Sequence, residues 1–161
     1  MIGAADVWER YKGGHALQIL EESIVLLDTP EDWKRAFPLM VQLRHHLNEE
    51  TYMEHMKAMS ALGYHLFGRM VEAELVSLAG GLILHNLYNG RYFMLYDLVT
   101  SASHRSAGYG EHLLTFVERW AEARGCERIE LTSGLERTEA HRFYEEKMGY
   151  LRTSYVFRRT F

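Results

Sequence analysis

Apolar and polar positions change period several times along the chain, and each change predicts an element. Residues 1–22 hold no steady period and are broken by Gly13-Gly14. Ser23 to Asp28 (SIVLLD) is a short apolar run that predicts a strand. Thr29-Pro30-Glu31-Asp32 has the form of a helix start, with a capping hydroxyl, proline at the first position and acids in the first turn. Trp33, Phe37, Met40, Val41 and Leu47 fit one face of that helix, which Pro38 must kink or restart. Asn48 can cap a second helix whose apolar stripe is Tyr52, Met53, Met56, Met59 and Leu62, a core-packing pattern.

From Tyr64 the texture turns to strands. Tyr64–Met70, Leu75–Leu87 and Arg91–Ser101 predict a three-stranded meander, with an acidic turn near Glu72 and Glu74. Gly80-Gly81 predicts a bulge, and Asn89-Gly90 a two-residue hairpin. A helical period returns over about Gly108–Arg124 and is ended by Gly125. Ile129–Thr132 then predicts a buried strand, Thr138–Met148 a helix, and Leu151–Arg158 a last strand. The third meander strand passes through a helix into the next strand, which makes a βαβ crossover. The expected class is α+β, with a mixed, mostly antiparallel sheet in one domain over residues 23–161. Residues 1–22 form an extension without an assigned role.

Composition narrows the partners. A chain of 161 residues with 47% hydrophobic and 25% charged residues is an ordinary globular domain that can bury its own core. One cysteine, Cys126, excludes an internal disulfide and a cysteine-clustered zinc site. His45, His46 and His55 lack a spacing that would put them on one helix face, so no metal is expected. No apolar run is long enough for a membrane helix, and the N-terminus has no charged start followed by an apolar core. The expectation is a cytoplasmic protein without a membrane partner. The net charge of -4 argues against nucleic acid. Residues 1–90 carry 7 basic against 12 acidic residues, and residues 91–161 carry 11 against 10. A site built across both halves could meet an anion on one side and a cation on the other.

The stretch from Asp97 to Gly110 (DLVTSASHRSAGYG) carries the most chemistry. A strand enters a loop with two glycines, and a helix opens directly from it. Unpaired N–H groups at the helix start, the helix dipole and glycine's lack of a side chain together suit a phosphate. The dipole alone supplies about 0.3–1 kcal/mol, whereas micromolar binding needs roughly 8 kcal/mol. Hydrogen bonds to the charged ligand, at about 1.5–3 kcal/mol each, must provide most of the rest. Arg105 stands just ahead of the glycines, placed to pair with a diphosphate. A dinucleotide fingerprint would need a third glycine where Leu113 stands, and a P-loop would need Gly-Lys-Ser/Thr. A turn that merely caps a helix is the remaining alternative.

Arg105-x-x-Gly108-x-Gly110 after a hydrophobic strand resembles motif A of the GNAT superfamily of acyl-CoA N-acyltransferases. Gly125-Cys126 followed by Arg128–Gly134 resembles that family's next strand. Ala140-His141-Arg142-Phe143-Tyr144, followed by Met148-Gly149-Tyr150, resembles its A-x-x-F-Y…G-F/Y segment. The order of elements agrees over about residues 23–161. The resemblance implies a GNAT-like fold with helices on both faces of the sheet, and an acetyl-CoA site at the crossover. Leu98, Val99 and Thr100 would offer backbone groups to the pantetheine arm and the acetyl carbonyl. Arg105, Ser106, Ala107, Gly108, Tyr109 and Gly110 would cradle the pyrophosphate, and His141 would join the cofactor-binding set. Tyr144 holds the position from which family members commonly protonate the leaving thiolate. Two departures stand out: Arg137 replaces an asparagine often found three residues before the alanine, and the Tyr144–Gly149 interval is one residue longer than usual.

The chemistry implied is direct transfer of an acetyl group from acetyl-CoA to a primary amine of a small molecule or peptide. The alternative is a non-catalytic acyl-CoA-binding regulatory or scaffold module. An alkylamine with a pKa near 10.4 is protonated at pH 7, and exposing its lone pair costs about 4.6 kcal/mol, so a base or a water relay is useful. Asp97 is the carboxylate nearest the expected acetyl position. Glu72 and His85 are alternatives, and the place about three residues earlier, where family members often carry a glutamate, is Met94. Family members are often dimers, so a homodimer is also an expectation of the resemblance.

Overall fold

The computed structural model describes residues 18–21 and 23–161, so most of the expected 1–22 extension lies outside the described residues. The backbone of Gln18–Glu21 forms β1, which pairs antiparallel with β2, Ile24–Leu26. Both expected helices form, and local capping explains why. In α1, Pro30–Met40, the Thr29 hydroxyl oxygen accepts the Asp32 N–H at 3.2 Å while the Asp32 carboxylate accepts the Thr29 O–H at 2.7 Å. Pro38 does not restart the helix, which runs unbroken through it and stops two residues later at Met40. In α2, Glu49–Ala61, Asn48 Oδ1 accepts the Thr51 N–H at 2.9 Å.

The meander comprises β3, His65–Val71, β4, Glu74–Asn86, and β5, Gly90–Thr100, all antiparallel. The acidic turn between β3 and β4 forms with positive φ at Glu72 and Ala73, 54° and 95°. The β4–β5 hairpin differs from the expected two-residue turn. Asn86 faces Gly90 across the ladder, so Leu87, Tyr88 and Asn89 make up the loop. The reason is local: Asn86 Oδ1 accepts the N–H groups of Tyr88 and Asn89 at 3.0 and 2.6 Å. Gly90 takes φ +66° as the strand begins. A short 3₁₀ turn, Ala102–His104, leads from β5 toward α3, Tyr109–Glu122. The chain then returns as β6, Arg128–Leu131, beside β5. The sheet is mixed and mostly antiparallel, in the order β1-β2-β3-β4-β5-β6. Cys126 is buried in the α3–β6 connection.

Alternation along the strands sends side chains to two covered faces. Leu66, Leu78, Leu82 and Val99 pack with Trp33, Ala36 and Leu39 of α1 and with Tyr52 and Met56 of α2. On the opposite face Phe67 meets Phe116 and Trp120 of α3, with ring centroids 5.7 and 5.0 Å apart. Both layers are drawn from the unit that ends at Glu130; Leu131–Phe161 forms a second compact unit.

In that second unit the expected Thr138–Met148 helix forms in two parts. Thr138–Arg142 is α4, and Phe143–Lys147 continues it as a single π turn, in which Met148 N–H reaches the Phe143 carbonyl at 3.1 Å. The expected strand over Leu151–Arg158 does not form. Residues 151–161 have no regular structure and are exposed throughout. Their alternation suits a half-buried strand, but a strand needs a ladder partner, and within its own unit this segment has none.

Candidate active site

The end of β5 concentrates the chemistry, and a bulge shapes it. Gly80 pairs with Asp97 but Gly81 pairs with Leu95, so Tyr96 is an extra residue on β5. The bulge predicted from Gly80-Gly81 is therefore present, carried by the partner strand. Gly80 is also necessary for what lies above it. A Cβ there would fall 1.8 Å from Tyr64 Oη and 2.4 Å from Tyr64 Cζ. The bare glycine lets the Tyr64 ring cross β4 and donate its O–H to Asp97 Oδ2 at 2.7 Å.

Asp97 is thus an anchored carboxylate, 7% exposed. Its Oδ1 accepts the Arg44 Nε–H at 2.8 Å and lies 2.8 Å from Arg44 Nη2. Arg44 Nη2 also donates to the Tyr96 carbonyl at 2.7 Å. Burial pushes the Tyr64 hydroxyl well above the usual tyrosine range, and the neighbouring Asp97 charge adds to the effect. Tyr52 is shifted upward by the same two causes in the same order. Its hydroxyl is buried with no hydrogen-bond partner among the described residues. The alternative bases sit elsewhere: Glu72 is exposed in the β3–β4 turn, and His85 is exposed near the hairpin, opposite Arg91.

Beyond Asp97, Leu98, Val99 and Thr100 pair with Ala79, Leu78 and Ser77 of β4 along one edge of β5. On the other edge, Glu127 N–H meets the Arg91 carbonyl at 2.8 Å, fixing the chain that enters β6 against the start of β5. Past the strand, Ser101 N–H bonds the Val76 carbonyl at 2.8 Å and Ala102 N–H bonds Gln42 Oε1 at 3.0 Å.

The glycine loop follows. Ser106 and Gly108 both have positive φ, 63° and 80°, and Gly108 is the N-cap of α3 without a side-chain cap. The first N–H groups of α3 therefore face outward with no acceptor in the helix itself. A Cβ on Gly108 would meet nothing within 4 Å, so the space above it is open. A Cβ on Gly110 would press on Thr100 Oγ1 at 2.9 Å, which explains glycine there as packing of the helix against β5. Arg105, Ser106 and Ala107 are exposed, Tyr109 half-buried. Arg105 borders a concavity of about 470 Å³ with Val41, Gln42, His45 and Ala102. Among the described residues no group of three or more His, Cys, Asp or Glu could hold a metal ion. No described helix is long and apolar enough to cross a membrane.

Tyr144 and His141 belong to the second unit. Tyr144 lies in the π turn, between Phe143 and Tyr150, with ring centroids 5.3 and 5.8 Å away. Burial raises its pKa, and Arg137 opposes that rise. The ring of His141 bonds the Gly134 carbonyl through Nε2 at 2.8 Å. The structure thus gathers Asp97 to Gly110 in one unit and Tyr144 with His141 in the other. Sequence reasoning missed Arg44, Gln42, Tyr52 and Tyr64. Their one local signal was Gly80, whose missing side chain makes room for Tyr64.

Known proteins share the family and the fold. Residues 28–150 match the acetyltransferase (GNAT) family. An uncharacterized N-acetyltransferase of Bacillus subtilis (strain 168), YhdJ, is 38% identical over 134 residues, which are 83% of this chain and 94% of the relative. Among solved structures, a putative acetyltransferase from Agrobacterium tumefaciens str. C58 superimposes with a TM-score of 0.71 at 24% identity, covering 84% of this chain and 98% of its own. AAC(6')-Iy in complex with a bisubstrate analog, CoA-S-monomethyl-acetylneamine, gives 0.73 at 19% identity over 85% and 97% of the two chains. At these identities the two structures establish the fold.

Proposed function

The chain belongs to the GNAT acetyltransferase family and is an acetyl-CoA-dependent N-acetyltransferase, and on that premise we propose direct acetyl transfer to a primary amine of a small molecule or peptide. The observation that carries the site assignment is the Ser106–Gly108 backbone. Positive φ at Ser106 and Gly108 leads into a helix start without a side-chain cap, and the space above Gly108 is open, an arrangement that suits an anion. In this reading Arg105 through Gly110 bind the diphosphate, and at Leu98, Val99 and Thr100 the edge of β5 opposite β4 receives the pantetheine arm as an added strand. The acetyl carbonyl then lies against the same backbone.

The base expected at Asp97 is reassigned. A carboxylate whose oxygens already accept from Arg44 and Tyr64 is held in place, and accepting a proton would break those bonds. Asp97 therefore organises the strand, and a water relay takes the amine proton. Tyr144 donates to the departing thiolate, a role supported by its place in the family segment. Its raised pKa keeps the hydroxyl protonated throughout the neutral range, and Arg137 is the cation that eases proton loss. A cationic amine suits the acidic first half of the chain. AAC(6')-Iy, with its aminoglycoside-derived bisubstrate ligand, supports the small-molecule choice. The test is calorimetric titration with acetyl-CoA, with NAD as control, followed by an amine screen for thiol release. Micromolar binding of acetyl-CoA alone is expected. Tyr144→Phe should then slow thiol release while leaving CoA affinity intact; release at the wild-type rate would remove Tyr144 from the mechanism.

A further inference from the structure

The connection between α1 and α2 is stitched once to β5 and once to the 3₁₀ turn that follows it, and these two points bracket the strand end assigned above to the thioester. At one point Arg44 takes the Asp97 carboxylate and the Tyr96 carbonyl. At the other, Gln42 Oε1 accepts the Ala102 N–H. Leu98, Val99, Thr100 and Ser101 lie between the stitches. The glycine loop that holds the diphosphate lies beyond the second one.

The first stitch has a specific physical task. A bulge residue drops out of the ladder, and the Tyr96 carbonyl takes a donor from outside the sheet. Arg44 supplies it with the same guanidinium that grips Asp97. One planar fork thereby fixes the bulge residue and its successor in a single orientation. An ammonium is a point charge and would hold the carboxylate without fixing the carbonyl. The peptide plane between residues 96 and 97 is thereby fixed where the ladder resumes, and Leu98 and Val99 follow from it in register with Ala79 and Leu78.

We propose that Arg44 is a positioning residue for acetyl transfer, which acts through Tyr96 and Asp97 to aim the β5 backbone at the thioester carbonyl, with Gln42 closing the bracket. This rests on the acetyl-CoA reading of β5. It predicts a selective defect: the acetyl group should lose its contact while the diphosphate keeps its own.

The experiment compares acetyl-CoA with CoA by calorimetry on the full chain. In Arg44→Lys, acetyl-CoA affinity should fall about tenfold, equal to 1.4 kcal/mol, and CoA affinity by less than about threefold. Gln42→Ala should show the same selectivity in smaller degree. Arg44→Met leaves the Asp97 charge buried and can unfold the chain. The double variant Arg44→Met/Asp97→Asn removes both charges and serves as the folded control. It should melt near the wild-type temperature yet keep the selective acetyl-CoA defect, because the Tyr96 carbonyl is still unheld. Equal loss of both ligands in Arg44→Lys, or full recovery of acetyl-CoA affinity in the double variant, would overturn the proposal. A wild-type protein that binds neither ligand would instead defeat the acetyl-CoA reading itself.

Discussion

Two stretches of the same chain, 14 residues from Asp97 to Gly110, hold their shape in opposite ways. At Asp97 the structure is made of side chains: a buried carboxylate and a buried tyrosine, spaced by a glycine and clasped by a half-buried arginine. At Ser106–Gly108 it is made of backbone, exposed, with left-handed residues and no side-chain cap. A buried polar cluster leaves no slack, since each lost partner strands another group in low dielectric. An exposed loop can lose a side chain without consequence for folding, because water replaces it. The first region should therefore report damage as lost stability, and the second as lost ligand affinity.

Gly80→Ala attacks the first region most severely. The added methyl collides with the Tyr64 ring, and displacing it should cost about 3 kcal/mol, lowering the melting temperature by roughly 10 °C. A variant that melts like the wild type would show that Tyr64 is not required where it stands. Arg105→Gln probes the second region. It removes about 2 kcal/mol of charge-assisted bonding and should weaken acetyl-CoA about thirtyfold at low salt, with the melting temperature unchanged. A drop in thermal stability without a change in affinity would reverse the contrast. Gly108→Val is smaller and tests both readouts at once. It should weaken acetyl-CoA about tenfold by filling the open space, while αL strain costs about 1 kcal/mol of stability. Calorimetry and thermal melts on the same sample separate the two effects.

The smallest effect is a dependence on alkaline pH. Tyr52 and Tyr64 have folded pKa values raised above the unfolded value near 10. A raised pKa means that the stabilising difference is intact below pH 10 and is lost as pH rises toward the folded value. At pH 10.5 each should have cost about 1 kcal/mol. Urea unfolding between pH 8 and pH 10.5 should show that decline, and Tyr52→Phe should remove about half of it. An unaltered slope in that variant would mean that Tyr52 ionises as freely in the folded protein as in the unfolded chain.

The same contrast explains what could be read before the fold was known. Thr29 and Asn48 announce their helices because a cap and its partner are three residues apart. The glycine loop was legible for a similar reason: strand, glycines and helix follow one another directly. Arg44 and Asp97 are 53 residues apart in sequence, and only the ladder register brings Tyr64, Gly80 and Asp97 into line. No local pattern encodes that. Asn89-Gly90 misled by one position because Asn86, a residue outside the pair, captured the turn's amides. Leu151–Arg158 misled because alternation describes a surface that could be half covered and says nothing about what covers it.

The π turn at Phe143–Lys147 bears on how this chain is aligned with its relatives. The segment holds one residue more between Tyr144 and Gly149 than the usual family spacing, and a single wide turn is the smallest structural change that can absorb one residue. The surplus is spent inside five residues, so the helix before it keeps its phase. A gap placed elsewhere in an alignment would set Phe143 or Glu145 at the position of the family tyrosine and give the role proposed for Tyr144 to a side chain that cannot perform it. The gap belongs inside the turn, between Glu145 and Lys147, and correspondence on either side of it can be read without a shift.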